Sequence, residues 1–114
     1  MHTSAEPILG VRDVTAAVAW WVDVLGFRAG FTWGEPPTHA AVLAGPGWRG
    51  APRIQLTLEA DPTPATVYVT VTDLDAIAAR ATAAGATVLN PLGARPWGRE
   101  LELADPDGNR IRLS

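Results

Sequence analysis

The sequence predicts an α+β fold made of two consecutive βαβββ units, and three observations lead there. Helix caps, helix stops and turns recur at a near-constant spacing of about 60 residues. Strand segments alternate between apolar and polar residues. A chain of 114 residues, 47% of them hydrophobic, suits one core or two small halves sharing a sheet.

The first unit, about residues 6–60, opens with a short strand over Ile8 to Asp13. Asp13 or Thr15 can cap a helix on which Val14, Ala17, Val18, Trp21 and Leu25 repeat at helical spacing. Gly26 supplies a left-handed stop, and "FRAGFTW" then reads as a strand. "HAAVLAG" and "PRIQLTLEA" form two more strands around a "GPGWRGAP" loop.

After an "ADPTP" linker the order returns over about residues 65–114. "TVYVTVTDLDAIAARATAAGATVLN" gives strand, cap, helix, a Gly85 stop and strand, and "RELELAD" and "NRIRLS" complete the unit. Asp13 and Asp73 stand 60 residues apart, as do Ala44-Gly45-Pro46 and Ala104-Asp105-Pro106, while Gly26 and Gly85 are 59 apart. These three aligned features and the repeated order of elements indicate duplication rather than chance. One unit alone leaves a sheet face bare, and pairing two sheets, within or between chains, covers it.

Strand alternation sorts residues to faces. Ile54, Leu56 and Leu58 oppose Arg53, Gln55, Thr57 and Glu59; Val67, Val69 and Val71 oppose Thr66, Tyr68 and Thr70. Leu101 and Leu103 oppose Glu100 and Glu102, and Ile111 and Leu113 oppose Arg110 and Arg112. The apolar faces suit packing against the two helices. The polar faces are either wet, as in many antiparallel sheets, or partly desolvated, in which case their charges must pair or bind something polar.

Composition excludes several functions. With no Cys there is no disulfide, thiolate nucleophile or cysteine metal site, which fits a reducing compartment. "MHTSAEP" is too short and polar for a signal peptide and no apolar run reaches membrane-spanning length, so the expected location is cytoplasmic, with no membrane partner. Lys is absent, the net charge is -3, and the C-terminal Arg residues alternate with acids, so nucleic acid is not an expected partner. Neither a Ser-His-Asp or Cys-His arrangement nor a phosphate loop can be assembled.

"VRDVTAAVAWWVDVLGF", "VTDLDAIAARATAAGA" and "DPDGNRIRL" together resemble the glyoxalase/bleomycin-resistance/extradiol-dioxygenase superfamily, the vicinal oxygen chelate proteins, over nearly the whole chain. "PILGVRDV" and "PWGRE" before "DPDGN" resemble its bleomycin-resistance branch most. The resemblance implies paired βαβββ modules forming a curved mixed-sheet cup, completed across a strand-swapped homodimer. Pro7 resembles the proline at which that branch exchanges its first strand.

Many members hold a divalent metal in the cup. By position, the corresponding quartet here is Glu6, Gln55, Thr66 and Arg112. Arg112 carries only donors and Thr66 is a poor substitute for His, so these read as vestigial metal positions, and neither metal nor cofactor is expected. His2 and His39 read as a tail and a strand-edge histidine.

What the resemblance leaves is a ligand cup. Trp97 and Tyr68 resemble aromatic cleft residues, and Trp33 and Glu35 fall in the variable loop that contributes to the cleft. Trp48 in "GPGWRG", Glu100, Glu102 and Arg112 complete the candidate ligand-binding set, although Arg110 and Arg112 can equally neutralise Glu6, Glu100 or Glu102. Trp20 and Trp21 read as packing residues. The expected function is metal-independent, non-catalytic binding of a natural product, with sequestration of a bleomycin-like or other antibiotic. The alternatives are an enzyme of the superfamily, using a displaced metal or a Glu6, Glu100 or Glu102 base, and a structural dimer whose cup is filled by its own Trp side chains.

Overall fold

Two aspartates separate strand from helix, and they do so differently. Asp13 is extended and accepts a hydrogen bond from the Ala16 backbone N–H at 3.0 Å, so β1 ends at Val11 and α1 begins at Val14. The strand expected to reach Asp13 is shorter because Asp13 is committed to the cap. Asp73 makes no such bond before α2; its carboxylate lies 3.7 Å from the Arg80 guanidinium, about two helical turns along.

The computed structural model describes residues 5–44 and 52–114. Its first half contains β1 (Ile8–Val11), α1 (Val14–Asp23), β2 (Arg28–Trp33), β3 (His39–Leu43) and β4 (Arg53–Leu58). The second contains β5 (Thr66–Val69), α2 (Leu74–Ala83), β6 (Thr87–Arg95), β7 (Gly98–Ala104) and β8 (Arg110–Leu113). The sheets have matching orders, β1-β4-β3-β2 and β5-β8-β7-β6, each with one parallel pair, formed by the strand preceding its helix and the last strand of the unit. This is the duplicated α+β architecture expected from the spacing. Gly26 and Gly85, at φ of 74° and 70°, end the helices in the left-handed conformation that a side chain would resist.

The apolar faces became the core. Ala40, Val42, Ile54 and Leu56 lie on the strands under α1, Leu9 and Val11 are buried beside them on β1, and Leu101, Leu103, Ile111 and Leu113 are buried in the second sheet. Leu58 departs from this pattern; at the end of β4 it is exposed. Trp21 is fully buried, edge-on to Phe27 at 5.0 Å, while Trp20 is half-buried against the same cluster. Truncating a core aromatic of this kind costs about 3–5 kcal/mol.

β6 is longer than "ATVLN" suggested and continues through Pro91 to Arg95. Its pairing with β7 shifts register between Val88 and Asn90 and again between Asn90 and Gly93. Such irregularities let a proline sit within a strand without costing a ladder bond.

Among the described residues, the polar side chains of Arg80, Arg12 and Asn109 tie the halves together. Arg80 on α2 donates to the Val24 and Leu25 carbonyls at the end of α1, at 3.4 and 3.1 Å. Arg12 donates to Asp107 from its backbone and its guanidinium. Asn109, completely buried, accepts from the Ala65 N–H at 2.9 Å and donates to Gly10 O at 3.1 Å and Asp105 at 2.9 Å. The DPDGN stretch is therefore more than a turn: it satisfies backbone groups of both halves. Burial pushes the Asp105 carboxyl up, against the hydrogen bonds it accepts from Asn109 and Asp107.

Candidate functional site

The sheet faces turned away from the helices carry the polar residues, as alternation requires. On the first sheet, Ile8 stands opposite Gln55, Gln55 opposite Ala41, and His39 opposite both Thr57 and Trp33. On the second, Tyr68 stands opposite Arg112, Arg112 opposite Glu102, and Glu102 opposite Asn90. Trp97 occupies the tight turn between β6 and β7. Trp33, Tyr68 and Trp97 are all exposed, at 67%, 51% and 65%, so the protein's own indoles do not fill a closed cup within one chain.

The charges on these faces are paired. Glu6 accepts from Arg53 Nε at 3.1 Å and Nη2 at 2.7 Å, and from the Gln55 amide at 3.1 Å. Glu100 accepts from Arg112 Nε at 2.8 Å and from the Trp97 indole N–H at 2.7 Å. Glu102 accepts from Arg110 Nε at 2.6 Å and the Asn90 amide at 3.0 Å, and its ion pair with the Arg110 terminal amine is closer still. Arg112 also lies over the Tyr68 ring, 5.6 Å from its centroid, within cation–π range.

These partners set the carboxylates' acidity. Hydrogen bonds from Arg53 and then Gln55 hold Glu6 below the ordinary glutamate value. The Arg112 guanidinium, followed by the Trp97 indole, does the same for Glu100. A carboxylate base with a raised pKa, on which the enzyme alternative depended, is therefore not what these two residues provide. Charge pairing outweighs desolvation at both.

The candidate metal quartet divides into two pairs. Glu6 and Gln55 are hydrogen-bonded to each other, whereas Thr66 stands opposite Arg110, one pleat from Arg112. Among the described residues no hydrogen bond joins the two pairs, and no three His, Asp or Glu side chains cluster as metal ligands do. The donor set does not fit a divalent cation: Glu6 is engaged by a guanidinium, and Arg112 repels a cation and offers no lone pair. Glu35 lies exposed in the β2–β3 turn, apart from the paired charges. His39 accepts or donates at Nδ1 to the Thr38 hydroxyl at 3.0 Å and packs edge-on to Trp33. Trp48 and His2 lie outside the described residues.

Concavity and chemistry are in different places. A cavity of about 600 Å³ opens between the halves on the helix side, lined by Leu25, Phe27, Arg28, Thr70, Asp73 and Ile77. Among the described residues, Glu6, Glu100, Glu102, Trp33 and Trp97 are absent from its lining. Sequence reasoning overlooked Arg53 and Asn90 as partners, because both are identified by strand register rather than by motif.

Two four-stranded sheets of matching order, each backed by one helix and each presenting a polar face with exposed aromatics, define a duplicated βαβββ fold. The chain belongs to the Glyoxalase/Bleomycin resistance protein/Dioxygenase superfamily, whose family model matches residues 2–113. TioX from Micromonospora sp. ML1 is similar at 27% identity and a TM-score of 0.81, over 98% of this chain and 97% of that one. The bleomycin-binding protein of the bleomycin producer Streptomyces verticillus, solved with copper(II)-bleomycin, is 30% identical over 100% and 96% of the chains, with a TM-score of 0.69. A bleomycin resistance determinant encoded on transposon Tn5 shares the fold at 20% identity and a TM-score of 0.75, over 98% and 96%. No curated protein matches the chain. Among the described residues no helix is long and apolar enough to cross a membrane.

Proposed function

We propose that this protein binds a small natural product between aromatic plates and releases it unchanged, so that it protects by sequestration, in the manner of a bleomycin-resistance protein and in the cytoplasm. The observation that carries this reading is the combination of exposed Trp33, Tyr68 and Trp97 with Glu6, Glu100 and Glu102, each occupied by a guanidinium partner. Aromatic plates offer stacking area, and occupied carboxylates make poor bases. The bleomycin-binding relative supports the ligand class, and the donor set supports metal independence.

The cup is completed by a second copy, the polar face of one chain's first sheet closing over the second sheet of its partner. Exposed Ile8, Phe31 and Trp33 on one face, and Tyr68 and Trp97 on the other, are more apolar surface than a lone chain gains by showing to water. In the single chain β1 pairs with its own β4 from Ile8 to Val11, and exchange with a partner would re-form the same register.

Intrinsic tryptophan fluorescence during titration with DNA-damaging antibiotics, combined with mass spectrometry of the recovered compound, tests this reading. Saturable quenching with intact compound is expected. A modified compound would make the protein an enzyme, and silence across the panel would leave a structural dimer as the better account. Light scattering should give twice the chain mass of 12.0 kDa.

A further inference from the structure

In the carboxylate–guanidinium pairs of the second sheet, the acid is buried and the base faces outward. The Glu100 and Glu102 side chains are 5% and 6% exposed, against 36% for Arg112 and 54% for Arg110. A guest approaching this face meets guanidinium N–H groups rather than carboxylate oxygens. Arg95 adds to this: its guanidinium folds over Gly93, which stands opposite Glu100, and donates to the Pro91 and Ala94 carbonyls.

Arg110 and Arg112 differ in one respect. Arg110 uses both Nε and a terminal amine on Glu102. Arg112 uses only Nε on Glu100, and among the described residues its terminal amines have no acceptor. A guanidinium carries five N–H donors in one plane, so four remain unspent. Glu100 fixes the plane at one edge and the Tyr68 ring supports its face. The Trp97 indole, tied to the same carboxylate, stands beside it. The result is a preorganised fork of donors between two aromatic side chains, at a position where the superfamily resemblance implied a metal ligand.

We infer that Arg112, flanked by Tyr68 and Trp97, is an acceptor-binding subsite that prefers a planar aromatic group bearing a carboxylate or a comparable pair of oxygens over the same group bearing an ammonium. This rests on the proposed binding function and gives it a ligand class. A bidentate guanidinium–carboxylate contact is strong and directional, whereas an ammonium here would face like charge, with Glu100 and Glu102 already engaged by Arg112, Trp97 and Arg110. The chain's formal charge of -3 therefore misleads about this face, since distant acids count in the total but do not line it.

Calorimetric titration of the full chain with naphthalene-2-carboxylate and 2-naphthylmethylammonium separates the alternatives, because the ring is constant and only the charged group changes. The carboxylate is expected to bind tighter by about tenfold or more, as a bidentate charge-assisted contact provides. The double variant Arg112→Met with Glu100→Gln removes both partners, stranding no buried charge, and should abolish that preference. Arg112→Lys keeps a cation beside Glu100 but loses the planar fork, and should reduce the preference even where the double variant fails to fold. Equal or tighter binding of the ammonium would overturn this inference alone, as would a preference that survives both variants. Failure of both naphthyl probes to bind at millimolar concentration would overturn the binding function with it.

Discussion

The two halves of this chain share a topology and differ in how their open faces handle charge. In the first, a carboxylate just ahead of β1, Glu6, reaches across to Arg53 and Gln55 and stays partly exposed. In the second, the carboxylates have moved to the third strand of the unit, where Glu100 and Glu102 are buried beneath Arg112, Arg110, Trp97 and Asn90. At the matching places of the first sheet stand His39 and Ala41, which carry no fixed negative charge. A duplicated fold thus keeps its core and rewrites its open face. The second half holds a preorganised polar surface, and the first supplies the more apolar wall with Ile8, Phe31 and Trp33.

The comparison can be broken most severely at Asn109. It serves both halves at once, so Asn109→Ala strands the Ala65 N–H and the Gly10 carbonyl together. A loss of about 2–4 kcal/mol is expected, since each buried group left unpaired costs about 1–3 kcal/mol. Urea denaturation measures it, and a loss below about 1 kcal/mol would mean that the halves are held by other contacts.

On binding, Trp97→Ala should weaken the guest by about tenfold, an aromatic anchor being worth more than 1 kcal/mol. Trp33→Ala should cost less, because its indole packs on His39 and is not tied to the charge network. Equal effects from both substitutions in calorimetry would erase the distinction between wall and polar plate.

The helix caps sharpen the comparison on a smaller scale. Asp13→Ala removes a cap bond and should cost about 1 kcal/mol, whereas Asp73→Ala removes no cap bond and should cost a few tenths at most. Thermal melts of the two variants give the difference directly.

Acid should act in the sense set by the depressed carboxyls. The folded-state pKa values of Glu6 and Glu100 lie below the ordinary 4.5, so their contribution is complete above about that pH and is lost as the pH falls through the lower folded values. Asp105 titrates in the opposite sense. Its folded value lies above 3.8, so stability rises as the pH falls through that raised value towards 3.8 and partly offsets the loss. Glu100→Gln should therefore flatten the decline of stability below pH 4.5 without removing it, as denaturation at stepped pH would show.

Much of this arrangement was legible in the residues themselves. Alternation assigned Leu101 and Leu103 to the core and Glu100 and Glu102 to the other face, because a strand's period is two whatever it packs against. Gly26 and Gly85 marked the helix ends because no other residue adopts their backbone cheaply. Partner choice was not legible. Whether Arg110 or Arg112 takes Glu100 depends on which residues of β7 and β8 stand opposite, and whether Asn109 reaches Gly10 depends on how the halves dock. Both follow from long-range packing rather than from local pattern. Arg53 was likewise read only as a polar-face residue, since nothing near it in sequence names Glu6, 47 positions away, as its partner.

The central claim is that the guest lies on the open sheet faces and not in the cavity on the helix side. Side-chain indole N–H resonances in an isotope-labelled sample, followed during titration, test it residue by residue. The account predicts large shifts at Trp97 and Trp33 and none at Trp21, which is fully buried in the core, or at Trp20 on the helix side. Saturable shifts at Trp20 or Trp21 with Trp97 and Trp33 unmoved would put the site on the helix side and contradict it.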